Sequence, residues 1–411
     1  MSASPVSRPT VMYYCQHSVG LGHFVRSLAI AEALSERFRV VMVSGGANPN
    51  ESLVPAGVEL IDLPAIGAAD GRGSRLVSVD PRLELEDVWR ARERRLLELL
   101  GQLRPSALVI ELFPFGRRKF DRELVPLLAA ASAMEPAPAI ISSVRDILVD
   151  SKENQEELDD RAARRLNEFF DAVIVHADPT FATLEETFRP SIAVEPPIYY
   201  SGFVVRSALR PEIQRPAQPR VLVSAGGGKI GEALVRTAAS AHLQYLAPRG
   251  VHTRIVTGPF LAPGVVEELE EQAHDCASLS VSRFEPQLCQ AMASSSISVS
   301  QCGYNTALDI VRAGVPALVV PYDLDGETEQ SLRASRLAQR GIVRQLAMGA
   351  LSAASLSEAI LQTLTMSPRR AAFDLGGKAA TARIVADLVE SRAPRRASGR
   401  VPSPVSGRVP G

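Results

Sequence analysis

The chain has 411 residues, of which 46% are hydrophobic and 22% are charged, and its formal net charge is -1 at pH 7. A globular chain of this length exceeds what one ordinary hydrophobic core holds, so we expect two domains. Because proteins that bind nucleic acid usually carry an excess of positive charge, the balanced charge argues against a nucleic-acid partner.

Cysteine spacing and the first residues of the chain bear on compartment and on metal binding. The four cysteines form no CxxC pair and no His/Cys pattern with zinc-ligand spacing, so we predict a reduced, cytoplasmic protein. The apolar run that starts at Val11 is soon interrupted by Gln16, His17 and Gly20, so we expect neither a signal peptide nor a transmembrane span. Peripheral contact with the inner face of a membrane remains compatible with this sequence.

Short apolar runs alternate with helical patterns over the first half of the chain, which is typical of a doubly wound α/β domain with a parallel sheet. After the first predicted strand, a glycine loop leads into a helix whose buried face is formed by Phe24, Leu28, Ala31 and Leu34. This pattern places His23 in the first turn of the helix. The predicted strands cover residues 11–15, 39–44, 58–63, 107–112, 139–144 and 172–175.

Polar side chains lie at or near the ends of three of these strands, namely Glu111, Arg145, Asp146 and His176. Because the carboxyl ends of parallel strands share one edge, these residues are predicted to line a binding site or, alternatively, to form ion pairs that stabilise the loop ends. Residues 64–81 lack periodicity and are predicted to form a long functional loop without secondary structure.

A proline-rich stretch separates the two halves, and a second α/β series follows it, with strands predicted at 220–224, 253–257, 279–282, 297–299, 317–320 and 342–346. The chain beyond residue 393 has too little apolar surface to offset the entropy of ordering. The predicted organisation is a flexible N-terminus at 1–10, an N-terminal domain at 11–195, a linker at 196–219, a C-terminal domain at 220–370, a helical segment at 371–393 and a disordered tail at 394–411.

Residues 297–330 carry the most information, because they are predicted to form a strand, a polar loop, a helix, a second strand and a second polar loop. Thr306 is predicted to cap the helix and Gly314 to end it. Since both polar loops follow parallel strands, they are expected on the sheet edge where open α/β sheets bind ligands.

Two features together give the chain a family resemblance. The GxGHxxR motif of Gly20, Gly22, His23 and Arg26, combined with the unit at 297–330, resembles GT-B glycosyltransferases of family 28. That family includes the enzyme that adds N-acetylglucosamine to the lipid-linked peptidoglycan precursor. The segments ELFPFGRRKF, SVRDIL, VHADPTF and CGYNT, with the later EQ and RA pairs, are most similar to a branch of predicted bacterial glycosyltransferases. The resemblance covers residues 10–370 and implies two Rossmann-like domains that face a cleft.

The resemblance implies that the C-terminal domain binds a UDP-linked or similar nucleotide-diphosphate sugar, such as UDP-N-acetylglucosamine. The SAGGG turn would approach the diphosphate with backbone N–H groups at a helix start, where orphan donors and the helix dipole favour anions. Asp309 matches the acidic residue that binds the ribose, which is often glutamate in the family, and Glu329 with Gln330 matches the pair that holds the sugar hydroxyls. The implied donor-binding residues are Gly226, Gly227, Gly228, Ser300, Gly303, Asn305, Thr306, Asp309, Glu329 and Gln330.

On the other side of the cleft, the resemblance implies His23 as the base that takes a proton from an acceptor hydroxyl during inverting transfer. A capping role or a phosphate contact is the alternative for this histidine. Glu111 or Asp146 would orient His23 or replace it as the base. The acceptor is expected to be a sugar, a lipid-linked compound or a small molecule. The residues implied on the acceptor or phosphate side are Gly20, Gly22, Arg26, Arg117, Arg145 and His176.

We expect no cofactor and no required metal. Asp323, Leu324 and Asp325 match DxD, the metal motif of a different glycosyltransferase fold, but a helix end and a glycine turn can stabilise a leaving diphosphate without a cation. Two other functions remain open. One is a nucleotide-sugar hydrolase or epimerase of the same fold, and the other is a non-catalytic nucleotide-sugar sensor, which has no need of His23.

Overall fold

The structure of the N-terminal domain is built on a parallel sheet, as the alternating pattern predicts. The computed structural model describes residues 8–17, 22–47, 53–69, 75–149, 154–206, 217–227, 230–323, 328–367 and 372–392. The first elements in chain order are β1 (Thr10–Cys15), α1 (Gly22–Ser35), β2 (Arg39–Ser44), β3 (Val58–Asp62), β4 (Ile66–Ala68), β5 (Leu76–Ser78), α2 (Leu85–Leu103), β6 (Ala107–Glu111), α3 (Asp121–Ser132), β7 (Ala139–Arg145), α4 (Gln155–Phe169), β8 (Ala172–His176) and β9 (Ile198–Tyr200).

Seven of these strands form one parallel sheet in the order β3-β2-β1-β6-β7-β8-β9. Its central strands are buried on both faces, which explains why β1, β6 and β8 read as continuous apolar runs rather than as alternating patterns. The predicted buried face of α1 is confirmed, because Phe24, Leu28, Ala31 and Leu34 all lie in the core.

Two sequence predictions about the N-terminal half are wrong in detail. The stretch 64–81 is not devoid of secondary structure, since β4 and β5 pair as an antiparallel hairpin within it. The predicted linker 196–219 contains β9, which adds to the edge of the seven-stranded sheet beside β8. The strands within these segments have three residues each, which is too short to show a clear period, so tertiary pairing decides their conformation.

The C-terminal domain repeats the architecture with a six-stranded parallel sheet in the order β12-β11-β10-β13-β14-β15. Its elements are β10 (Arg220–Ser224), α5 (Glu232–Ala241), β11 (His252–Val256), α6 (Pro263–His274), β12 (Leu279–Ser282), α7 (Leu288–Ala293), β13 (Ile297–Ser300), α8 (Tyr304–Ala313), β14 (Ala317–Val319), α9 (Glu329–Gln339), β15 (Arg344–Gln345), α10 (Ala353–Leu364) and α11 (Gly377–Arg392). The predicted α/β class with two doubly wound domains is therefore confirmed.

Two helix predictions in this half need comment. Gly314 ends α8 with φ of 59°, as predicted, but Thr306 is the third residue of that helix and not its cap, because α8 already begins at Tyr304. The last helix, α11, returns to the N-terminal domain, where Val385 and Ala386 join the core that contains β1 and α1. Among the described helices, none is both long and apolar enough to span a membrane.

The order of the strands reverses at one point in each sheet, between β1 and β6 and between β10 and β13. Loops that leave such a reversal point diverge to opposite faces and open a crevice at the carboxyl edge, where α/β proteins bind ligands. In the first sheet this edge carries the start of α1 and Glu111. In the second it carries the turn after Ser224 and the loop after Ser300, two residues that are paired in register.

A buried arginine ties together the loops that follow β1, β2 and β3. Arg92 on α2 donates to both carboxylate oxygens of Glu123, at 2.7 Å each. It also donates to the carbonyls of Gly45 at 2.7 Å and Pro64 at 2.9 Å, and to Gln16 Oε1 at 2.7 Å. Arg92 is 0% exposed, so its charge depends on these partners and the three loops are fixed relative to one another.

We predict that Arg92→Leu lowers the thermal unfolding temperature strongly, because it leaves the buried Glu123 carboxylate without a counter-charge, at a cost of about 3–5 kcal/mol. The matched control is Arg95→Gln on the same helix. Arg95 forms an exposed pair with Glu98 at 3.5 Å, and loss of such a pair costs less than about 1 kcal/mol. Equal unfolding temperatures for the two variants would contradict this account.

Candidate active site

The catalytic candidates of the N-terminal domain meet at the end of β6. His23 Nδ1 lies 2.6 Å from Glu111 Oε1, and the Arg26 guanidinium, one turn further along α1, pairs with the same carboxylate oxygen. Glu111 is 0% exposed and Arg26 is 2% exposed, whereas the His23 side chain retains 19% exposure. The imidazole is therefore the group of this cluster that reaches the cleft.

The hydrogen bond between His23 and Glu111 sets the chemistry of the imidazole. A carboxylate only accepts hydrogen bonds, so Nδ1 carries the proton and Nε2 keeps its lone pair. Burial lowers the pKa of His23 to about 3, against the opposing effect of Glu111, so the ring is neutral at physiological pH. Burial alone would raise the pKa of Glu111, but His23, Arg26 and Arg117 together hold that pKa well below its usual range. A neutral histidine with a permanently ionised partner can accept a proton.

Arg117 contributes a positive charge that has little compensation. Its guanidinium lies 3.9 Å from Glu111 Oε2, its side chain is only 15% exposed, and its Nε has no hydrogen-bond partner within the described ranges. Arg145 Nε is buried and unpaired in the same way. These two arginines therefore have N–H groups to offer to an anion.

A second cluster crosses from one domain to the other, and we call it the charge ladder. It runs Arg145–Glu329–Arg333–Asp146, with the outer residues from the end of β7 and the inner two from α9. Arg333 donates to both oxygens of Asp146 at 2.7 and 2.8 Å and to Glu329 Oε1 at 2.6 Å, and Glu329 Oε2 lies 2.5 Å from Arg145. Asp146, predicted as a possible base, instead has both oxygens engaged by Arg333.

The loop at 300–305, called the donor loop below, is held from both sides. Its Cys302 carbonyl accepts from Arg333 Nη1 at 2.8 Å, and its Cys302 N–H donates to Gln330 Oε1 at 3.0 Å. Asn305 Nδ2 donates across the cleft to the carbonyl of Gly22 at 3.0 Å. The loops that leave the two strand-order reversals are thus in direct contact.

Gly226 and Gly303 of the C-terminal domain occupy positions of different kinds. Gly226 adopts φ of 59°, a conformation that side chains rarely allow. Gly303 has an ordinary φ of −64°, and a Cβ added there would meet nothing within 4 Å. The fold therefore does not require glycine at position 303, while the open space beside its backbone is available to a ligand.

His176 does not line the cleft, contrary to the sequence prediction. It is 0% exposed, with Nε2 at 2.8 Å from Ser143 Oγ and Nδ1 at 2.9 Å from Ser201 Oγ. Burial lowers the pKa of His176 to about 3, so it is a neutral core histidine. Its carbonyl accepts a hydrogen bond from the Tyr304 hydroxyl at 2.8 Å, which anchors the start of α8 to the N-terminal domain.

The comparisons with known proteins agree with this architecture. Residues 223–388 match the family described as the glycosyltransferase family 28 C-terminal domain. The matching residues are called the family 28 domain below. It begins inside β10 and extends into α11, so the family 28 domain includes the helix that returns to the N-terminal domain.

Two curated relatives are similar over a shorter stretch. They are the UDP-N-acetylglucosamine--N-acetylmuramyl-(pentapeptide) pyrophosphoryl-undecaprenol N-acetylglucosamine transferases of Sinorhizobium medicae, 31% identical over 115 residues, and of Rhizobium johnstonii, 30% identical over 121 residues. The matches cover 27% and 28% of this chain. The chain spans about a third of the length of these relatives, 31% and 32% respectively.

Solved structures extend the similarity to the whole fold. The calicheamicin glycosyltransferase has a TM-score of 0.56 at 19% identity and covers 94% of this chain and 95% of its own. MurG of Acinetobacter baumannii has a TM-score of 0.54 at 17% identity, with 93% and 99% covered. A UDP-glucosyltransferase from Polygonum tinctorium has a TM-score of 0.59 at 16% identity, with 94% and 100% covered. The chain has the GT-B fold.

Within the family 28 domain, Asp309 lies half-buried on α8 beside α7, where its backbone carbonyl contacts Cys289 Sγ at 3.5 Å. Burial raises the pKa of Asp309 to about 6, against the opposing effect of Arg312 and Arg206. A carboxylate that the fold keeps desolvated without a close counter-charge is typical of a binding site. The hydroxyl of Ser300, unlike the Asp309 carboxylate, is fully buried, and it has no hydrogen-bond partner within the described residues.

The structure adds three residues that the sequence analysis did not assign: Arg333, Tyr304 and Phe284. Arg333 and Tyr304 matter through contacts with the other domain, which no local pattern reveals. Phe284 follows β12 at the carboxyl edge and is 40% exposed. A large aromatic side chain in a polar loop after a strand is a signal that the sequence does contain.

Four of the residues named in the sequence analysis, Gly20, Gly228, Leu324 and Asp325, lie outside the described residues.

We predict that Asp309→Asn stabilises the protein at pH 7–8. The folded pKa is raised, so ionisation costs stability as pH rises from below the ordinary value of 3.8, where both states are protonated, to above about 6, where both are ionised. Asparagine removes this penalty, so the unfolding temperature should rise by a few degrees at pH 7–8, with the gain disappearing toward pH 4.

The control for this measurement is Asp387→Asn, which removes an exposed carboxylate on α11 and should leave the unfolding temperature unchanged at every pH. An Asp309→Asn protein that is less stable than the parent at pH 8 would show that the carboxylate is satisfied by the fold.

Proposed function

We propose that the protein transfers a sugar from a nucleotide-diphosphate sugar to an acceptor hydroxyl. The observation that carries the proposal is the His23–Glu111 pair, which leaves Nε2 of a partly exposed imidazole unprotonated. UDP-N-acetylglucosamine is the first donor to test, because the names of the two curated relatives include it.

The donor site that we propose lies along the carboxyl edge of the C-terminal sheet. Phe284 offers an exposed ring on which a nucleobase can stack, and its loop is fixed by the 2.9 Å bond from Arg254 Nη2 to Glu285 Oε2. Asp309, ionised above pH 6, can accept two hydrogen bonds from ribose hydroxyls. Gly226 and Gly303 allow the diphosphate to approach the backbone N–H groups at the starts of the following helices.

The reaction that we propose is a single displacement with inversion. Nε2 of His23 takes the proton of the acceptor hydroxyl while its oxygen forms a bond to the anomeric carbon. The bond from that carbon to the diphosphate oxygen breaks, and the nucleoside diphosphate leaves with the electron pair. Glu111 stabilises the imidazolium that forms, and Arg26 keeps Glu111 ionised.

The charge of the cleft suits an anionic leaving group. Four guanidinium groups (Arg26, Arg117, Arg145 and Arg333) lie among three carboxylates (Glu111, Asp146 and Glu329), so the cluster has one net positive charge when His23 is neutral. We propose that this excess, together with the helix starts, stabilises the leaving diphosphate without a required metal. Full activity that is lost in a chelator and restored by magnesium would contradict that part.

We propose an acceptor on the side of His23 and Arg117, where N–H groups remain unpaired. Lipid-linked, sugar and small-molecule acceptors are the classes to screen, since the curated relatives are named for a lipid-linked acceptor and the Polygonum tinctorium enzyme for small molecules. A peripheral position at the inner membrane face remains a prediction of the sequence.

The binding half of the proposal predicts that UDP and UDP-N-acetylglucosamine raise the unfolding temperature of the protein, because they bind only the folded state. Phe284→Ala should weaken the affinity for UDP by roughly tenfold through loss of base stacking. Affinity in the parent should fall as pH drops through about 6, and Asp309→Asn should abolish this pH dependence. Thermal unfolding measures the first effect and isothermal titration measures the affinities, and absence of binding by any nucleotide sugar would contradict the proposed function.

The catalytic half predicts that His23→Ala lowers turnover by about 10²–10⁴-fold, the usual contribution of a general base, with little change in UDP affinity. Glu111→Gln should lower turnover as well, because a neutral amide does not stabilise an imidazolium. His274→Ala removes an exposed histidine of α6 and serves as the control.

The assay measures released nucleotide and free sugar together, with and without an acceptor panel. Nucleotide release that exceeds free sugar and depends on the acceptor supports transfer. Equal amounts at an acceptor-independent rate would identify a hydrolase, and unchanged turnover in His23→Ala would remove the proposed base.

A further inference from the structure

Arg333 holds the donor loop and the other domain with the same guanidinium. Two bonds to Asp146, from Nε and Nη2, align one edge of the guanidinium. Nη1 donates to the Cys302 carbonyl at 2.8 Å. Arg333 is 1% exposed, so water does not replace any of these partners. The direction in which Nη1 points therefore depends on where Asp146 is.

Cys302 is fixed at both of its backbone groups by side chains of α9. Gln330 Oε1 accepts from its N–H at 3.0 Å and from the Tyr322 N–H at 3.2 Å, so this side chain connects the loops that follow β13 and β14. The Gln330 bonds lie wholly within the C-terminal domain. Among the bonds to the Cys302 backbone, the one from Arg333 is aligned by a residue of the N-terminal domain.

The charge ladder makes this alignment sensitive to domain closure. Asp146 and Arg145 belong to the N-terminal domain, and Arg333 and Glu329 to α9, so separation of the domains breaks two buried ion pairs at once. Arg333 would then retain only Glu329, four residues away on the same helix, as its carboxylate. A guanidinium with one carboxylate is free to rotate, whereas the bidentate bond to Asp146 fixes its plane.

We infer that Arg333 is a positioning residue for the donor loop and that Asp146, from the opposite domain, sets its orientation, so that the donor site is complete only when the domains are closed. This inference rests on the proposed function, because it takes the donor loop to be where the nucleotide sugar binds. It gives Asp146 a role in donor binding in place of the base function that its position in the sequence suggests.

A second cross-domain pair on α9 provides a matched control. Arg336, one turn beyond Arg333, pairs with Glu186 of the N-terminal domain and donates to the Phe181 carbonyl at 2.8 Å. Within the part of the chain that the structure describes, the Arg336 guanidinium does not contact the donor loop. Glu186→Gln therefore weakens the attachment of α9 to the N-terminal domain without altering the group that holds Cys302.

The test measures the affinity of the full chain for UDP by isothermal titration in five proteins: the parent, Asp146→Asn, Arg333→Gln, the double variant and Glu186→Gln. We expect at least tenfold weaker binding for Asp146→Asn and for Arg333→Gln, and no further loss in the double variant, since both changes remove one interaction. Glu186→Gln should bind within twofold of the parent. Asp146→Glu, which keeps the charge, should recover part of the affinity.

Thermal unfolding of each variant confirms that a folded protein is being compared, and Asp146→Asn preserves the shape of the side chain if Arg333→Gln does not fold. The inference is overturned if Asp146→Asn binds UDP within twofold of the parent, or if the two single effects multiply in the double variant. It is also overturned if Glu186→Gln weakens binding as much as Asp146→Asn, because general loosening of the domains would then explain both. A parent protein that binds no UDP would instead count against the proposed donor, and so distinguishes the two failures.

Discussion

The active-site region depends on one constraint: charged groups that the fold removes from water must find partners, and here many of those partners lie on the opposite domain. Parallel sheets collect polar residues at their carboxyl edges, and the GT-B fold turns two such edges toward each other. Asp146 and Arg333 come from different sheets and are each almost completely buried. Within its own domain Arg333 contacts the Glu329 carboxylate through one bond, whereas Asp146 is engaged through two, so the Asp146–Arg333 pair favours the closed arrangement.

The same constraint explains the contrast between the two sides of the cleft. On the N-terminal side, Glu111 is surrounded by His23, Arg26 and Arg117, and the result is an ionised carboxylate beside a neutral imidazole. On the C-terminal side, Asp309 forms no ion pair within the described residues, and burial raises its pKa to about 6 against the effect of Arg312 and Arg206. Opposite environments for two carboxylates give them opposite properties, which suits one for orienting a base and the other for receiving ligand hydroxyls.

The GT-B fold of this chain does not by itself determine its function. The structural neighbours share less than a fifth of their residues with it and include enzymes named for quite different acceptors, so the fold alone leaves the acceptor open. The donor site that we propose lies in the family 28 domain. The specificity of this chain should be sought in the unpaired N–H groups of Arg117 and Arg145 and in the pairing of Glu329 with Arg145.

Local sequence determined a large part of the architecture. Apolar runs of four to six residues identified the central strands, because strands covered on both faces must be apolar throughout, and helical spacing identified α1 and placed His23 at its start. The motifs also brought together residues that do meet, as with His23, Arg26 and Glu111. The sequence did not predict the short strands β4, β5 and β9. Three residues show no reliable period, and their pairing partners lie elsewhere in the chain.

Only the tertiary structure decided which polar residues share a partner. Asp146, Glu329 and His176 all stand at strand or helix ends and read alike in the sequence, yet the fold assigns the first two to the charge ladder and buries the third among hydroxyl groups. Within the charge ladder, the partners are separated by up to 187 residues along the chain, as for Asp146 and Arg333. Such contacts depend on how two separately folded sheets are docked, and no local pattern of residues encodes that geometry.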